Sequence, residues 1–121
     1  MTRFGEFFRT RRMTAGLTLR AFCLDNGFDP GNISRLERGM LPPPESGDKL
    51  EAYAKALRLK KGTDDWYTFF DLAAAERGRI PEDVLEDREV VERLPVLFRT
   101  LRGQRVDEKA LDDLVDRIKR A

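Results

Sequence analysis

Histidine is absent from this chain of 121 residues, and Cys23 is its only cysteine. These absences exclude an intrachain disulfide, the common zinc sites built from Cys and His, and every mechanism that uses histidine as acid, base or nucleophile partner. No apolar run approaches the ~18 residues of a membrane span. Met1-Thr2-Arg3-Phe4-Gly5-Glu6 lacks the apolar core of a signal peptide, so a cytoplasmic location is expected. There is no glycine-rich phosphate loop, no repeat and no low-complexity segment. Carboxylates are plentiful, but Asp64-Asp65 and Asp112-Asp113 are adjacent residues on helical turns, which point in different directions. The chain is therefore expected not to be an enzyme, and to need no cofactor and no metal.

Charged residues make up 37% of the sequence, yet hydrophobic residues reach 40% and include eight Phe and one Trp, enough for a real core. A chain of this length buries roughly two-thirds of its unfolded surface. The net charge of +1 conceals an asymmetry: residues 1–61 hold twelve Lys and Arg against seven Asp and Glu, and residues 62–121 hold eleven against fifteen. A basic N-terminal half suits a polyanion, and an acidic C-terminal half suits a protein partner.

Residues 17–39 organise the rest. Thr18 is a good N-cap, and Leu19, Phe22 and Cys23 at helical spacing predict a helix from about Leu19 to Asn26, stopped by Gly27. Asp29-Pro30 supplies a second cap with proline at the first helical position, and Ile33 and Leu36 give the next helix an apolar face up to Gly39. Two short helices joined by a tight turn form a helix-turn-helix, and Asn32, Arg35 and Arg38 give its second helix an outward face able to reach base edges and phosphates.

Around this motif the chain reads as further helices. The first spans about 2–15, with Phe4, Phe7 and Phe8 inward and Gly16 as its stop. Met40-Leu41-Pro42-Pro43-Pro44 is a stiff connector, followed by a helix over about 45–58 carrying Leu50, Tyr53, Ala54 and Leu57 on one face. Thr63 caps a helix over about 64–76 that is apolar almost all round and serves as core and dimer seam. Beyond Pro81 come a short helix and a longer one, kinked or split at Pro95, whose Val90, Val91, Leu94, Leu97, Phe98 and Leu101 form a core-packing stripe. A last helix over about 107–120 carries Leu111, Leu114, Val115 and Ile118 on one side. The expected fold is all-α, in two parts: a helix-turn-helix domain over residues 1–61 and an acidic helical extension over 62–121. The expected dimer or partner surface comprises Trp66, Phe70, Leu111, Leu114 and Ile118.

Gly16-Leu17-Thr18, Gly27, Ile33-Ser34, Leu36-Glu37 and Gly39, continued by Leu50, Ala54 and Leu57, resemble the lambda repressor and Cro type of helix-turn-helix transcriptional regulators over about residues 4–59. That resemblance implies a partly buried structural ion pair between Arg12 and Glu37. It implies base contacts from Pro30, Gly31, Asn32 and Arg35, and phosphate contacts from Thr18, Arg20, Ser34 and Arg38. Arg35 is suited to guanine, and Asn32 to adenine or a phosphate. Pro30 and Gly31 depart from the polar donors usual at the front of such a helix. Cys23 stands where a small packing residue is usual. The implied partner is double-stranded DNA bound by a homodimer at a near-palindromic operator, with repression as the outcome. The alternative is an antitoxin whose extension neutralises a toxin enzyme.

Overall fold

The computed structural model describes residues 3–103 and, beyond them, Asp112. Its helices are α1 (Arg3–Thr14), α2 (Leu19–Asn26), α3 (Pro30–Glu37), α4 (Gly47–Ala56), α5 (Asp64–Glu76), α6 (Glu82–Leu85) and α7 (Arg88–Gly103). Among the described residues there is no strand, so the protein is all-helical. The chain forms two compact units, one ending at Pro81 and one beginning at Glu82.

Local chemistry sets the helix ends. Side-chain oxygens of Thr18, Asp29, Ser46 and Thr63 accept the backbone N–H of Ala21, Asn32, Lys49 and Trp66, each satisfying a donor that the first turn leaves unpaired. The serine hydroxyl explains why α4 begins at Gly47 and not at Glu45. The C-termini of α1 to α5 share one closure, in which a residue in the left-handed region turns the chain and the next N–H bonds back five residues. Phe28 N–H donates to Cys23 O at 2.9 Å, Met40 N–H to Arg35 O at 2.8 Å and Leu59 N–H to Ala54 O at 3.0 Å. Glycine fills the left-handed position everywhere except α4, where Arg58 adopts φ 62°.

The first unit is built around phenylalanine. Phe4, Phe8, Phe22 and Phe69 are fully buried. Phe8 meets Phe22 of α2 and Tyr53 of α4 edge-on, with centroids 5.7 and 5.6 Å apart, and approaches Phe69 of α5 at 6.3 Å. One ring of α1 thus ties three other helices together. Burial of a ring of this kind contributes about 1.5–3 kcal/mol.

The boundary expected between Lys61 and Gly62 falls inside this unit, because α5 packs on α1. Phe69 meets Phe4 with ring centroids 5.1 Å apart and the planes tilted by 49°, Arg11 pairs with Asp65 at 3.0 Å, and Glu76 Oε1 accepts the Phe4 N–H at 2.9 Å, capping α1 from another helix. Trp66, expected on a partner surface, is instead 8% exposed and belongs to the core, with the half-buried Phe70 against it at 5.0 Å. An aromatic face packed on α1 gains the full transfer energy without a second chain. Leu111, Leu114 and Ile118 lie outside the described residues.

In the second unit, α7 runs through Pro95 as one helix and is not split there. Its apolar stripe does not form the expected core: no α7 residue is buried, and Val91, Val96, Phe98 and Leu101 are exposed. The helix that precedes it, α6, is a single turn, too short to cover a helix of four turns.

Candidate nucleic-acid interface

The position of α3 is set from behind by a buried charge pair. Arg12 Nε donates to Glu37 Oε2 at 2.8 Å and Nη2 to Oε1 at 2.9 Å, the parallel fork of a bidentate pair, while Nη1 donates to Leu17 O at 2.8 Å. Arg12 is 8% exposed and Glu37 4%. The hydrogen bonds to Glu37 hold the guanidinium pKa above its ordinary value against the opposing effect of burial. The pair therefore locks α1, the start of the turn before α2, and the end of α3 into one body. Gly5 completes that crossing: a Cβ there would lie 2.5 Å from Glu37 O and 2.7 Å from Leu36 O, so α1 rests backbone to backbone on the C-terminus of α3.

The opposite side of α3 faces solvent. Pro30, Asn32, Arg35 and Arg38 are exposed, Gly31 and Ser34 half-buried. Asp29 Oδ2 accepts the Asn32 N–H at 2.9 Å, and Arg35 Nη2 donates to Asn32 Oδ1 at 2.7 Å. Arg38 lies along the helix end, its Nε donating to Ser34 O at 3.3 Å. On α2, exposed Arg20 stands at the first turn, beside the exposed Thr18 whose Oγ1 accepts the Ala21 N–H at 3.1 Å and whose proton is left to donate outward. Leu24, 80% exposed, lines with Arg20 and Pro30 an open groove between α2 and α3. An apolar side chain at this edge is suited to a thymine methyl.

Cys23 lies beneath this face, 1% exposed. Burial pushes its thiol pKa up, the reverse of what a nucleophile requires.

A family profile described as a helix-turn-helix domain matches residues 3–65, more than half of the chain. The protein belongs to the helix-turn-helix domain family. Its domain is of the Cro and lambda-repressor-like kind, which makes the protein a DNA-binding regulator in general terms. No curated protein and no solved structure matches it. No helix among the described residues is long and apolar enough to cross a membrane.

Within the helix-turn-helix domain the structure brings Arg12 to Glu37 and Asn32 to Arg35, and leaves Arg20, in the first turn of α2, and Arg38, at the end of α3, exposed. Sequence reasoning passed over Gly5, Glu76 and the Arg77 and Arg79 contacts to Glu45, which hold the proline connector. Gly5 carried a signal, since glycine inside an amphipathic helix is unfavourable and marks close approach. Glu76 carried none, because a cap supplied by a distant helix leaves no local pattern.

Proposed function

We propose that the protein is a sequence-specific repressor that binds a near-palindromic operator as a dimer, placing two copies of α3 in successive major grooves ~10 base pairs apart, centre to centre. Its own promoter is the first operator to test. The single observation that carries this reading is the two-sided construction of α3: a buried bidentate pair, Arg12 with Glu37, behind an exposed row of donors from Asn32, Arg35 and Arg38. Rigid backing and outward donors are what major-groove readout needs. Arg35, Asn32, Pro30 and Gly31 take the base side, and Thr18, Arg20, Ser34 and Arg38 the backbone side.

The test is binding to upstream DNA across a salt series. Arg35→Ala should lower discrimination between specific and scrambled duplexes by about tenfold or more. Arg38→Ala should weaken both duplexes alike and reduce the log-log salt slope by about one. Folded protein that binds both duplexes equally overturns the proposal.

A second reading has an observation of its own. The acidic surplus of residues 62–121 and the exposed Val96 and Phe98 of α7 support a protein-binding role for the C-terminal part, as in an antitoxin that masks a toxin enzyme. It is compatible with repression. Val96→Ser with Phe98→Ser should abolish binding to a basic toxin encoded beside it and leave DNA affinity within about twofold. Loss of DNA binding instead would assign this surface to the dimer.

A further inference from the structure

Arginine and asparagine on a reading face ordinarily act as separate readers, arginine taking guanine and asparagine taking adenine. On α3 they are joined. Arg35 Nη2 donates to Asn32 Oδ1 at 2.7 Å, and because a guanidinium has donors only, the amide oxygen and not its nitrogen must face it. Gly31 lies beneath the pair: a Cβ there would be 3.5 Å from both Nη1 and Nη2 of Arg35, ordinary van der Waals contact, and 3.3 Å from Asp29 Oδ2, so the guanidinium rests against the first turn of the helix. The Asp29 carboxylate in turn holds the Asn32 N–H at 2.9 Å and fixes the turn from which the amide projects.

The consequence concerns which base is read. An asparagine recognises adenine with both ends of its amide, the oxygen accepting from N6 and the nitrogen donating to N7. Here the oxygen is committed to Arg35, and what Asn32 still offers is a donor. The remaining N–H groups of Arg35 are donors as well. Resting on the proposal that the protein reads DNA sequence, we infer that Asn32 and Arg35 form one unit, in which the amide oxygen holds the guanidinium and Arg35 reads guanine through O6 and N7. Asn32 is then a positioning residue for Arg35 and not a reader of adenine.

Selection from a pool of randomised duplexes by the full chain tests this, with Asn32→Ala, Asn32→Asp and Arg35→Ala selected in parallel and thermal melts to confirm folding. Wild type should enrich guanine at a position where Arg35→Ala shows no preference. Asn32→Ala should keep guanine at that position with about tenfold weaker preference. Asn32→Asp keeps the oxygen acceptor, so it should restore the guanine preference while binding all DNA more weakly. Replacing the selected guanine by 7-deazaguanine should cost the wild type about tenfold and Arg35→Ala nothing measurable. An enriched adenine that vanishes in both Asn32 variants while the guanine persists at full strength overturns the inference alone. So does a guanine preference that Asn32→Ala leaves untouched. Folded wild type that enriches no sequence overturns the proposed function, and the inference falls with it.

Discussion

The helix-turn-helix unit and α7 carry the same kind of sequence signal and do different things with it. Phe4 and Phe8 recur at i and i+4 and are completely buried; Val91, Leu94 and Phe98 recur just as regularly, and none is buried. Periodicity states that a helix has an apolar face. What covers the face is decided by elements elsewhere in the chain, and among the described residues only the first unit brings enough of them, with α2, α4 and α5 all reaching one ring, Phe8.

The largest effect expected from breaking this comparison is at the buried ion pair. Arg12→Ala leaves the Glu37 carboxylate, 4% exposed, without its fork of donors, and should lower unfolding free energy by about 3–5 kcal/mol in urea melts. Replacing both residues together by apolar ones, Arg12→Met with Glu37→Leu, should cost much less, because no charge is then stranded. By contrast Val96→Ser on α7, at a side chain 68% exposed, should change stability by less than about 0.5 kcal/mol.

Gly5→Ala should come next. The added methyl meets carbonyl oxygens of Glu37 and Leu36, backbone that cannot swing aside, so α1 must move off α3. A loss of about 1–3 kcal/mol is expected, despite the better helix propensity of alanine. If Gly5→Ala instead raises the melting temperature, α1 and α3 do not meet backbone to backbone.

Alkaline pH separates the units by a different route. Burial first of all raises the pKa of the Cys23 thiol and of the Tyr53 phenol, both in the core of the first unit. The folded chain therefore keeps these protons to higher pH than the unfolded chain. The contribution of these two groups to stability is flat below the ordinary thiol value of 9.0 and falls as pH rises above it, as the unfolded state comes to bind fewer protons. Urea melts of wild type from pH 7 to 10.5 should show this decline, and Cys23→Ala with Tyr53→Phe should remove most of it. A decline unchanged in that double variant would assign it to other groups.

Much of the first unit was legible because its ends are local. Thr18, Asp29 and Thr63 cap the helices that their own neighbours build, and each such boundary can be read within four residues. Three things were legible only in part or not at all, for the same reason in reverse. Glu76 reaches Phe4 across 72 residues, and the signal of a glycine inside a helix at Gly5 does not name Glu37, which lies over it. Trp66 has the pattern of a seam residue, and its place in the core depends on the elements that this unit packs around it. Of the site, Arg35 and Asn32 stand out as donors by type, but their union rests on a rotamer that spacing alone permits without requiring. Arg12 and Glu37, 25 residues apart, were singled out by family resemblance and by nothing in their own surroundings.

The smallest expected effect is a gain. Arg58 holds φ 62° at the position where glycine closes the other four helices of this unit, and Leu59, the next residue, is 6% exposed because that turn delivers it into the core. The left-handed conformation costs an L-residue with a Cβ roughly 1 kcal/mol, a cost that glycine avoids. Glycine also frees the unfolded chain, which offsets part of the gain. Arg58→Gly should therefore stabilise the protein by about 0.5 kcal/mol, read as a higher urea midpoint with an unchanged slope. Because Arg58 is exposed and has no charged partner within salt-bridge distance among the described residues, loss of its charge should contribute little. A stabilisation restricted to low salt would show instead that relief of charge repulsion, and not of backbone strain, is what the substitution changes.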